Sequence, residues 1–438
     1  MATTAAERRA GAVACLLALT VAGIVVSCAP AAPPETPAPQ QAPEPVPGYP
    51  APTAESAEPA LRIGLAVGAA SATIGGGAAL TVSDQGGAQI AEIAGAETWQ
   101  VSAPGQTMRL ATPSGKSVGA SGVLAVAAQE SGQPVRVNGR EYRGEVELVP
   151  DRTGVTVVNR VGLESYVLGV VSAEMGRRAS EDLEALRAQS VVSRTYALRN
   201  RGRWRASGFD LYATVADQVY GGLGAETVEA REAVNGTRGM ILTYGGQPID
   251  AFFYSTCGGT TAEGTEVFRA ADRPYLRSIA DVGPDGAAYC SISPRFRWRE
   301  EWTGEGLQAT LRRTLPSVAG LAASEIGEVR DVWIARRTPS GRVGELVVAL
   351  GGTDARVSGP AVRQVLRPAS GEPLRSSAFT LTTTGAGRRV TRLVADGGGA
   401  GHGVGFCQWG AVGRSRAGQD YRQIVAAYYP GAQLERLY

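Results

Sequence analysis

The chain has 438 residues, of which 19% are charged, and its 43 Lys and Arg residues nearly balance its 41 Asp and Glu residues. With a net charge of only +2, the composition does not require an extended basic face, so nucleic acid is not an expected partner. Beyond an N-terminal stretch of roughly 60 residues, about 380 residues remain, which is enough for two or three domains with apolar cores.

The N-terminal segment has the pattern of an export signal. Arg8 and Arg9 precede an apolar run over residues 11–26, and the sequence VVSC ends that run at Cys28. A run of about 16 residues is shorter than the roughly 20 that a transmembrane helix needs, so residues 1–27 are predicted to be a signal peptide. VVSC resembles the lipobox of bacterial lipoproteins, which implies that Cys28 carries a lipid and anchors an exported protein to the membrane, facing the periplasm or the cell wall. The alternative is an ordinary signal peptide cleaved nearby.

Two regions of different composition follow the export signal. Residues 28–60 are dominated by Pro and Ala, which predicts an extended linker reaching at most about 90 Å. Residues 61–160 contain short runs of alternating apolar and polar residues between Gly, Asn, Asp and Pro turns. This pattern predicts a β-rich N-terminal domain.

Residues 161–299 change to a helical and mixed pattern. The sequences LESYVLGVVSAEM and EDLEALRAQSVVSRTYALRNR predict two helices separated by GRRAS, with Ser180 as the cap of the second helix. The strands MILTYGG and PIDAFFYST are predicted further along the chain. A tight turn between the two helices is expected to hold Glu174 near their junction.

The rest of the chain completes an α+β fold. Residues 300–395 combine one helical piece with several strand-like runs, which predicts an inserted β-rich α/β subdomain. Residues 396–438 form a Gly-rich motif followed by helical turns, and they are expected to complete the mixed core. No internal repeat of the kind found in solenoids is present in the sequence.

Glu174 is the first candidate for chemistry because it ends an otherwise apolar or small-residue run. Burial would raise the pKa of its carboxyl group and keep a proton available near neutral pH, as a general acid requires. The alternative is a helix-terminal glutamate that is solvated or pairs with one of three arginines, Arg177, Arg178 or Arg194. Glu164, ten residues upstream, is expected to be a helix cap or a surface charge.

Several polar residues could surround Glu174 and bind a substrate. Gly258 and Gly259 form a turn that allows a ligand to approach the backbone closely, although a plain hairpin turn is the alternative. A solvated helix charge is likewise the alternative for Arg194. The expected substrate-binding residues are Gln189, Ser193, Arg194, Tyr196, Ser255, Thr256, His402 and Gln408.

The cysteines leave three alternatives open. With the cysteine of the signal peptide and Cys28 set aside, Cys257, Cys290 and Cys407 remain, and His402 is the one histidine in the sequence. Three cysteines and one histidine would complete a tetrahedral zinc site, although the spacing is unlike a C-x-x-C pair. A Cys257–Cys290 disulfide with Cys407 unpaired suits an exported protein equally, and three free thiols are the third alternative.

Four motifs occur in order along the chain. They are VVSAEM, then ALRAQSVVSRTYAL, then YSTCGG followed by VFRAADRPYLRSIAD, and finally GHGVGFCQWGA with YYPG. Together they resemble the SpoIID/LytB family, the stage II sporulation protein D and amidase-enhancer group of bacterial cell-wall proteins, over residues 61–438. The resemblance implies a lytic transglycosylase that cleaves peptidoglycan glycan strands between N-acetylmuramic acid and N-acetylglucosamine. It also implies that Glu174 is the single acid and base of the reaction and that no cofactor is required.

The resemblance implies a second function as well, namely a non-catalytic amidase enhancer that binds glycan and activates a cell-wall amidase. The resemblance also implies that some members of the family bind zinc near the region of His402 and Cys407. Cys407 follows Phe406 where Met-Ser is more usual, and Tyr254 stands where a histidine would strengthen a metal site. These two departures weaken the zinc assignment more than the catalytic one.

Overall fold

A computed structural model describes residues 58–268, 272–387 and 389–438. The predicted signal peptide at 1–27, the lipid site at Cys28 and most of the linker predicted at 28–60 lie outside the described residues. Among the helices that the structure describes, none has both the length and the apolar character needed to span a bilayer.

The N-terminal region is built from short strands, as the alternating pattern predicts. Leu61 and Ile63 alternate with less buried neighbours along the first strand, so that one face of the sheet packs into the core. The strands are β1 (Ala60–Ala69), β2 (Ala72–Gly75), β3 (Leu80–Ser83), β4 (Gln89–Ile93), β5 (Thr98–Ser102), β6 (Thr107–Ala111), β7 (Ser117–Ser121), β8 (Leu124–Ala128), β9 (Val135–Val137), β10 (Arg140–Tyr142), β11 (Glu145–Pro150) and β12 (Val155–Gly162).

These strands form two sheets. One has the order β1-β12-β11-β8-β3-β4 and is extended beside β1 by the short strand β13 (Leu211–Tyr212), which runs parallel to β1. The other has the order β10-β9-β2-β5-β6-β7. All other pairings in the two sheets are antiparallel.

A helical region follows β12. It contains α1 (Leu163–Met175), α2 (Leu183–Arg199), α3 (Val228–Gly236), α4 (Gly264–Val267), β14 (Met240–Tyr244), β15 (Gln247–Pro248) and β16 (Phe253–Tyr254). Helix α1 ends because Gly176 adopts a φ of 69° and its N–H bonds to the Ser172 carbonyl at 2.9 Å. Ser180 is not the cap of α2, contrary to the sequence prediction. It opens a separate 3₁₀ turn, and Asp182 occupies the N-cap position.

A second apolar core lies within the inserted region. The elements of this region are β17 (Arg297–Thr303), α5 (Gly304–Ala319), β18 (Asp331–Arg337), β19 (Val343–Ala349), β20 (Asp354–Ser358), α6 (Val362–Val365), β21 (Phe379–Ala386) and β22 (Arg389–Gly398). Helix α5 buries Leu307, Leu311 and Leu315, which recur every four residues on one face. The strands form two sheets with the orders β17-β22-β21 and β18-β19-β20.

The C-terminal segment follows the insertion and pairs with two strands of the helical region that precede it. It contains β23 (Phe406–Cys407), α7 (Gln408–Arg416), α8 (Tyr421–Tyr428) and β24 (Gln433–Arg436). β23 runs parallel to β16, and β24 runs antiparallel to β14. These pairings confirm a mixed α+β fold and bring the Gly-rich loop beside the end of α1.

Candidate active site

Glu174 lies in the last turn of α1, and its side chain is half-buried. Its Oε1 accepts a hydrogen bond from the backbone N–H of Val219 at 2.8 Å, and its Oε2 lies 3.5 Å from Nε2 of Gln408. Burial raises the pKa of the carboxyl group above its ordinary value, and the contacts with Val219 and Gln408 oppose this rise without cancelling it. The carboxyl group therefore holds its proton more strongly than an exposed glutamate does.

Glu174 lines a cleft of about 750 Å³, called the main cleft below. Its walls come from the end of α1, the loop at 215–217, the strand β16 and the start of α7. Of the predicted substrate-binding residues, Tyr196, Ser255, His402 and Gln408 line this cleft together with Glu174. A cleft of this volume lies within the usual range for ligand sites.

Arg194 does not line the main cleft. It is fully buried and forms a two-pronged ion pair with Glu164, with N···O distances of 2.9 and 2.6 Å. Its Nη1 also donates to the Met240 carbonyl at 3.0 Å. Glu164 is only 1% exposed, so the expectation of a surface charge at that position is wrong. The pair joins α1, α2 and β14, and its role is to hold the fold.

The other three predicted binding residues also lie outside the lining of the main cleft. Gln189 donates to Ser193 within α2 at 2.9 Å, and both side chains are fully buried. The hydroxyl of Thr256 is 2.8 Å from that of Ser293 and is buried as well. These side chains therefore lie in the core, where Oε1 of Gln189 has no hydrogen-bond partner among the described residues.

His402 is held in one tautomer. Val404 N–H donates to its Nδ1 at 3.1 Å, so the proton is on Nε2, which donates to the Phe253 carbonyl at 2.8 Å. Burial lowers the pKa of the imidazole to about 4, and the charges of Arg342 and Arg363 act in the same direction. His402 is therefore a neutral wall of the cleft at neutral pH.

Asp217 is a site residue that the sequence analysis did not identify. Its carboxylate is fully buried and lines the main cleft. It accepts hydrogen bonds from Trp204 Nε1 (2.8 Å), Tyr212 N (2.8 Å), Arg203 Nη1 (3.1 Å) and Tyr196 Oη (3.2 Å). These contacts fix the loop that presents the Val219 N–H to Glu174. The donors lie between 5 and 21 residues before Asp217, at spacings that match no known sequence motif.

Arg178 and Trp409 form a second pair that the sequence analysis did not identify. The Arg178 guanidinium lies 4.3 Å from the centre of the Trp409 ring, and both side chains line the main cleft. Such a stack presents a flat, partly apolar surface to a ligand.

The three described cysteines meet in the core next to the main cleft. The ligand atoms of Cys257, Asp281, Cys290 and Cys407 all lie within 4.8 Å of one another, and all four residues are buried. The Cys257 and Cys290 sulfurs are 3.3 Å apart, well beyond the bonded distance of about 2.05 Å. The three thiols are free, so the alternative of a Cys257–Cys290 disulfide is not formed in this structure.

The fourth member of this cysteine cluster is Asp281 and not His402, whose two ring nitrogens are engaged elsewhere. Asp281 accepts hydrogen bonds from Arg414 and Tyr428, both at 2.9 Å, which orient its carboxylate. Three sulfurs and one carboxylate oxygen could hold a metal ion with tetrahedral coordination.

The cluster already favours one thiolate. Hydrogen bonds from Cys257 and, less strongly, Cys407 lower the pKa of Cys290 to about 3. The pKa of Cys257 is raised, chiefly by its hydrogen bond with Cys290, and burial raises the pKa of Cys407. The thiolate is therefore favoured at Cys290, and a metal ion that binds all three sulfurs would have to displace the protons of Cys257 and Cys407.

Two family models match separate regions of the chain. A family model described as stage II sporulation protein matches residues 151–244, and a model described as a domain of unknown function matches residues 288–405. An uncharacterized protein of Brachyspira hyodysenteriae is 32% identical over 68% of this chain and 73% of its own length.

Two Bacillus subtilis proteins are similar as well. Its stage II sporulation protein D is 30% identical, over 65% of this chain and 77% of that protein. Its amidase enhancer is 27% identical, over 61% of this chain and 40% of that protein.

Proposed function

The chain belongs to the stage II sporulation protein D family, and on that premise we propose that it is a peptidoglycan lytic transglycosylase. Its substrate is the glycosidic bond between N-acetylmuramic acid and N-acetylglucosamine, and Glu174 is its single acid and base. The observation that carries the proposal is a half-buried carboxyl group with a raised pKa in the wall of a cleft of about 750 Å³.

The reaction needs one proton carrier. Protonated Glu174 donates its proton to the glycosidic oxygen as the bond to C1 of the muramic acid breaks. The resulting carboxylate then accepts the proton of the C6 hydroxyl of the same sugar as that oxygen bonds to C1. The product is a 1,6-anhydro ring, and no water molecule is consumed.

The neighbours of Glu174 support both halves of this cycle. When the carboxyl group gives up its proton, the Val219 N–H and Gln408 Nε2 stabilise the new negative charge. Because His402 is neutral at neutral pH, it adds no charge that would hold Glu174 in the ionised state. The Arg178–Trp409 stack offers a surface against which a sugar ring can pack.

A zinc ion held by Cys257, Asp281, Cys290 and Cys407 is part of the proposal. Four protein ligands leave no open coordination position, so its role is structural. Cys407 immediately precedes Gln408, and its sulfur accepts the Gly410 N–H at 3.2 Å at the start of α7. A metal here would hold together the ends of β16 and β23, which are followed directly by Ser255 and Gln408.

The proposal includes export and a lipid anchor at Cys28, which would place the enzyme beside the cell wall.

The alternative function is the non-catalytic amidase enhancer, which would use the main cleft to bind glycan and would activate a cell-wall amidase. The similarity to a protein named amidase enhancer is what favours this alternative.

Mass spectrometry of digested glycan strands separates the two functions. The native protein is expected to produce anhydromuramyl ends, and Glu174→Gln is expected to produce none. Glu130→Gln is the matched control, because Glu130 is exposed and lies in the N-terminal β region. If native protein makes no anhydromuramyl ends while Glu174→Gln still stimulates an amidase, the enhancer function replaces the enzyme.

A further inference from the structure

A second chamber of about 650 Å³, called the side chamber below, adjoins the main cleft. The two share Ser255, Pro294 and Arg295 as lining residues. The opposite wall of the side chamber includes residues from 368–375, a segment that follows α6. Most of the side chamber is therefore built by the region 288–405, for which the matching family model gives no function.

Three arginines line the side chamber, and they come from separate parts of the chain. Arg295 precedes β17, Arg363 lies in α6 and Arg375 follows the 368–373 stretch. None of the three takes part in any ion pair among the residues that the structure describes. Arg295 and Arg375 are exposed, and Nε of Arg363 donates to the Leu374 carbonyl.

A fourth arginine lies behind this wall. Arg342 is 3% exposed, forms no ion pair among the described side chains, and its Nε has no hydrogen-bond partner. Its Nη2 donates only to the carbonyls of Thr260 at 3.2 Å and Cys257 at 3.4 Å. Burial and, to a lesser extent, the charge of Arg342 lower the pKa of Arg363. Like charges this close repel one another, and a bound anion would relieve that repulsion.

The side chamber also contains Glu300 and Glu372, so its net charge is small. Long-range electrostatic attraction therefore gives the side chamber little selectivity for anions, and direct hydrogen bonds to the ligand must supply that selectivity. An arginine guanidinium matches a carboxylate group with two parallel hydrogen bonds. Arg375 is held close to the main cleft by the backbone. Its carbonyl accepts a hydrogen bond at 2.8 Å from the N–H of Gly401, and the next residue, His402, lines the main cleft.

We propose that the side chamber is a carboxylate-binding subsite that the region 288–405 adds to the main cleft. This inference rests on the proposed function, because its ligand is the same glycan strand on one side of the bond at Glu174. Every muramic acid carries a lactyl carboxyl group, which is either free or extended by a peptide with its own carboxylates. Arg295 and Arg375 bind that carboxylate, and Arg363 and Arg342 supply the positive charge behind it.

The test is a binding titration with three glycan fragments, made on Glu174→Gln so that no fragment is cut. The first fragment has free lactyl carboxylates, the second has them amidated, and the third carries stem peptides. Arg295→Gln and Arg375→Gln are compared with the control Arg312→Gln, which changes an exposed arginine of α5 outside both chambers. Thermal unfolding of each variant confirms that it is folded.

At least one charged fragment is expected to bind about ten-fold more tightly than the amidated one, and Arg295→Gln and Arg375→Gln should each remove most of that difference. Preference for the first fragment identifies the lactyl carboxylate as the ligand, and preference for the third identifies the peptide. Equal binding of all three, or an Arg375→Gln variant that behaves like Arg312→Gln, overturns the inference while leaving glycan as the substrate. Failure of every fragment to bind would instead overturn the proposed function.

Discussion

Glu174 is subject to two opposing influences on its proton affinity. Burial raises the pKa of its carboxyl group, and hydrogen bonds from the Val219 N–H and Gln408 lower it. An acid that must release a proton and then recover it needs both influences, because burial favours the neutral form and the two donors stabilise the charged form.

Gln408→Leu is expected to raise the pKa of Glu174 further, because it removes a donor that stabilises the carboxylate. In a pH profile of kcat/KM for glycan cleavage, the alkaline limb marks the loss of the catalytic proton, and it should move to higher pH. Gln129→Leu, at an exposed position of the N-terminal region, is the control. An alkaline limb that stays in place or moves to lower pH would contradict this role of Gln408.

Glu174→Gln is expected to abolish cleavage without lowering the stability of the fold at neutral pH. Because the folded-state pKa of Glu174 is raised, the folded protein binds this proton more tightly than the unfolded chain does. The stability contributed by the group is therefore present at acid pH and is lost as the pH rises through the folded pKa.

Urea unfolding of the native protein and Glu174→Gln at neutral and acid pH measures this effect. The free energy of unfolding of Glu174→Gln should equal or exceed the native value at neutral pH, and its advantage should shrink in acid. A clear loss of stability at neutral pH would show that the ionised carboxylate is stabilising, against the direction of its pKa shift.

The sequence predicted that the Glu174 side chain would be buried, but it predicted only part of its surroundings. The apolar run before it indicated burial correctly, whereas Val219 and Gln408 lie 45 and 234 residues away. The sequence predicts Arg194 to be either a substrate-binding residue or a solvated helix charge, whereas the structure buries it in an ion pair with Glu164. A helical pattern shows that two faces meet and does not show which polar groups pair between them.

At the scale of secondary structure, the parallel pairing of β16 with β23 organises the site. Tyr254 is paired with Cys407 in this register, which brings Ser255 beside α7 and lets Cys257 N–H donate to the Cys407 sulfur at 3.1 Å. The main cleft and the cysteine cluster thus lie beside the same two-stranded sheet. Alternation of residues predicts that such strands exist, but their partners lie about 150 residues apart in the chain.

Protein purified in the presence of zinc is expected to bind roughly one zinc ion with its cysteine cluster. Cys290→Ser should lose that ion and unfold at a lower temperature than the native protein, because the metal ties Cys257 and Asp281 to α7. Ser291→Ala, at an exposed position of the same 3₁₀ turn, is the control. Metal analysis and thermal unfolding provide the readouts.

A count of thiols in the unfolded, metal-free protein separates the cysteine alternatives. Reaction of all of Cys257, Cys290 and Cys407 with a thiol reagent is expected for the free or zinc-bound cluster. Zinc-free protein in which Cys407 alone reacts would restore the Cys257–Cys290 disulfide and contradict the metal site.

At the scale of the whole molecule, the region 288–405 is inserted between the two strands that form the site. β16 precedes this insertion and β23 follows it, and the main cleft and the side chamber adjoin along its boundary. The sequence predicted the change from strands to helices and the α+β class. It did not predict the side chamber, because Arg295, Arg363 and Arg375 share no local motif.

Cleavage in water labelled with heavy oxygen tests most directly whether a single carboxyl group performs the reaction without water. We expect product ends that carry the anhydro ring and no label, since the C6 oxygen of the sugar is the nucleophile of the proposed reaction. Labelled reducing ends, formed by the native protein and lost in Glu174→Gln, would show hydrolysis at the same site and would contradict the account.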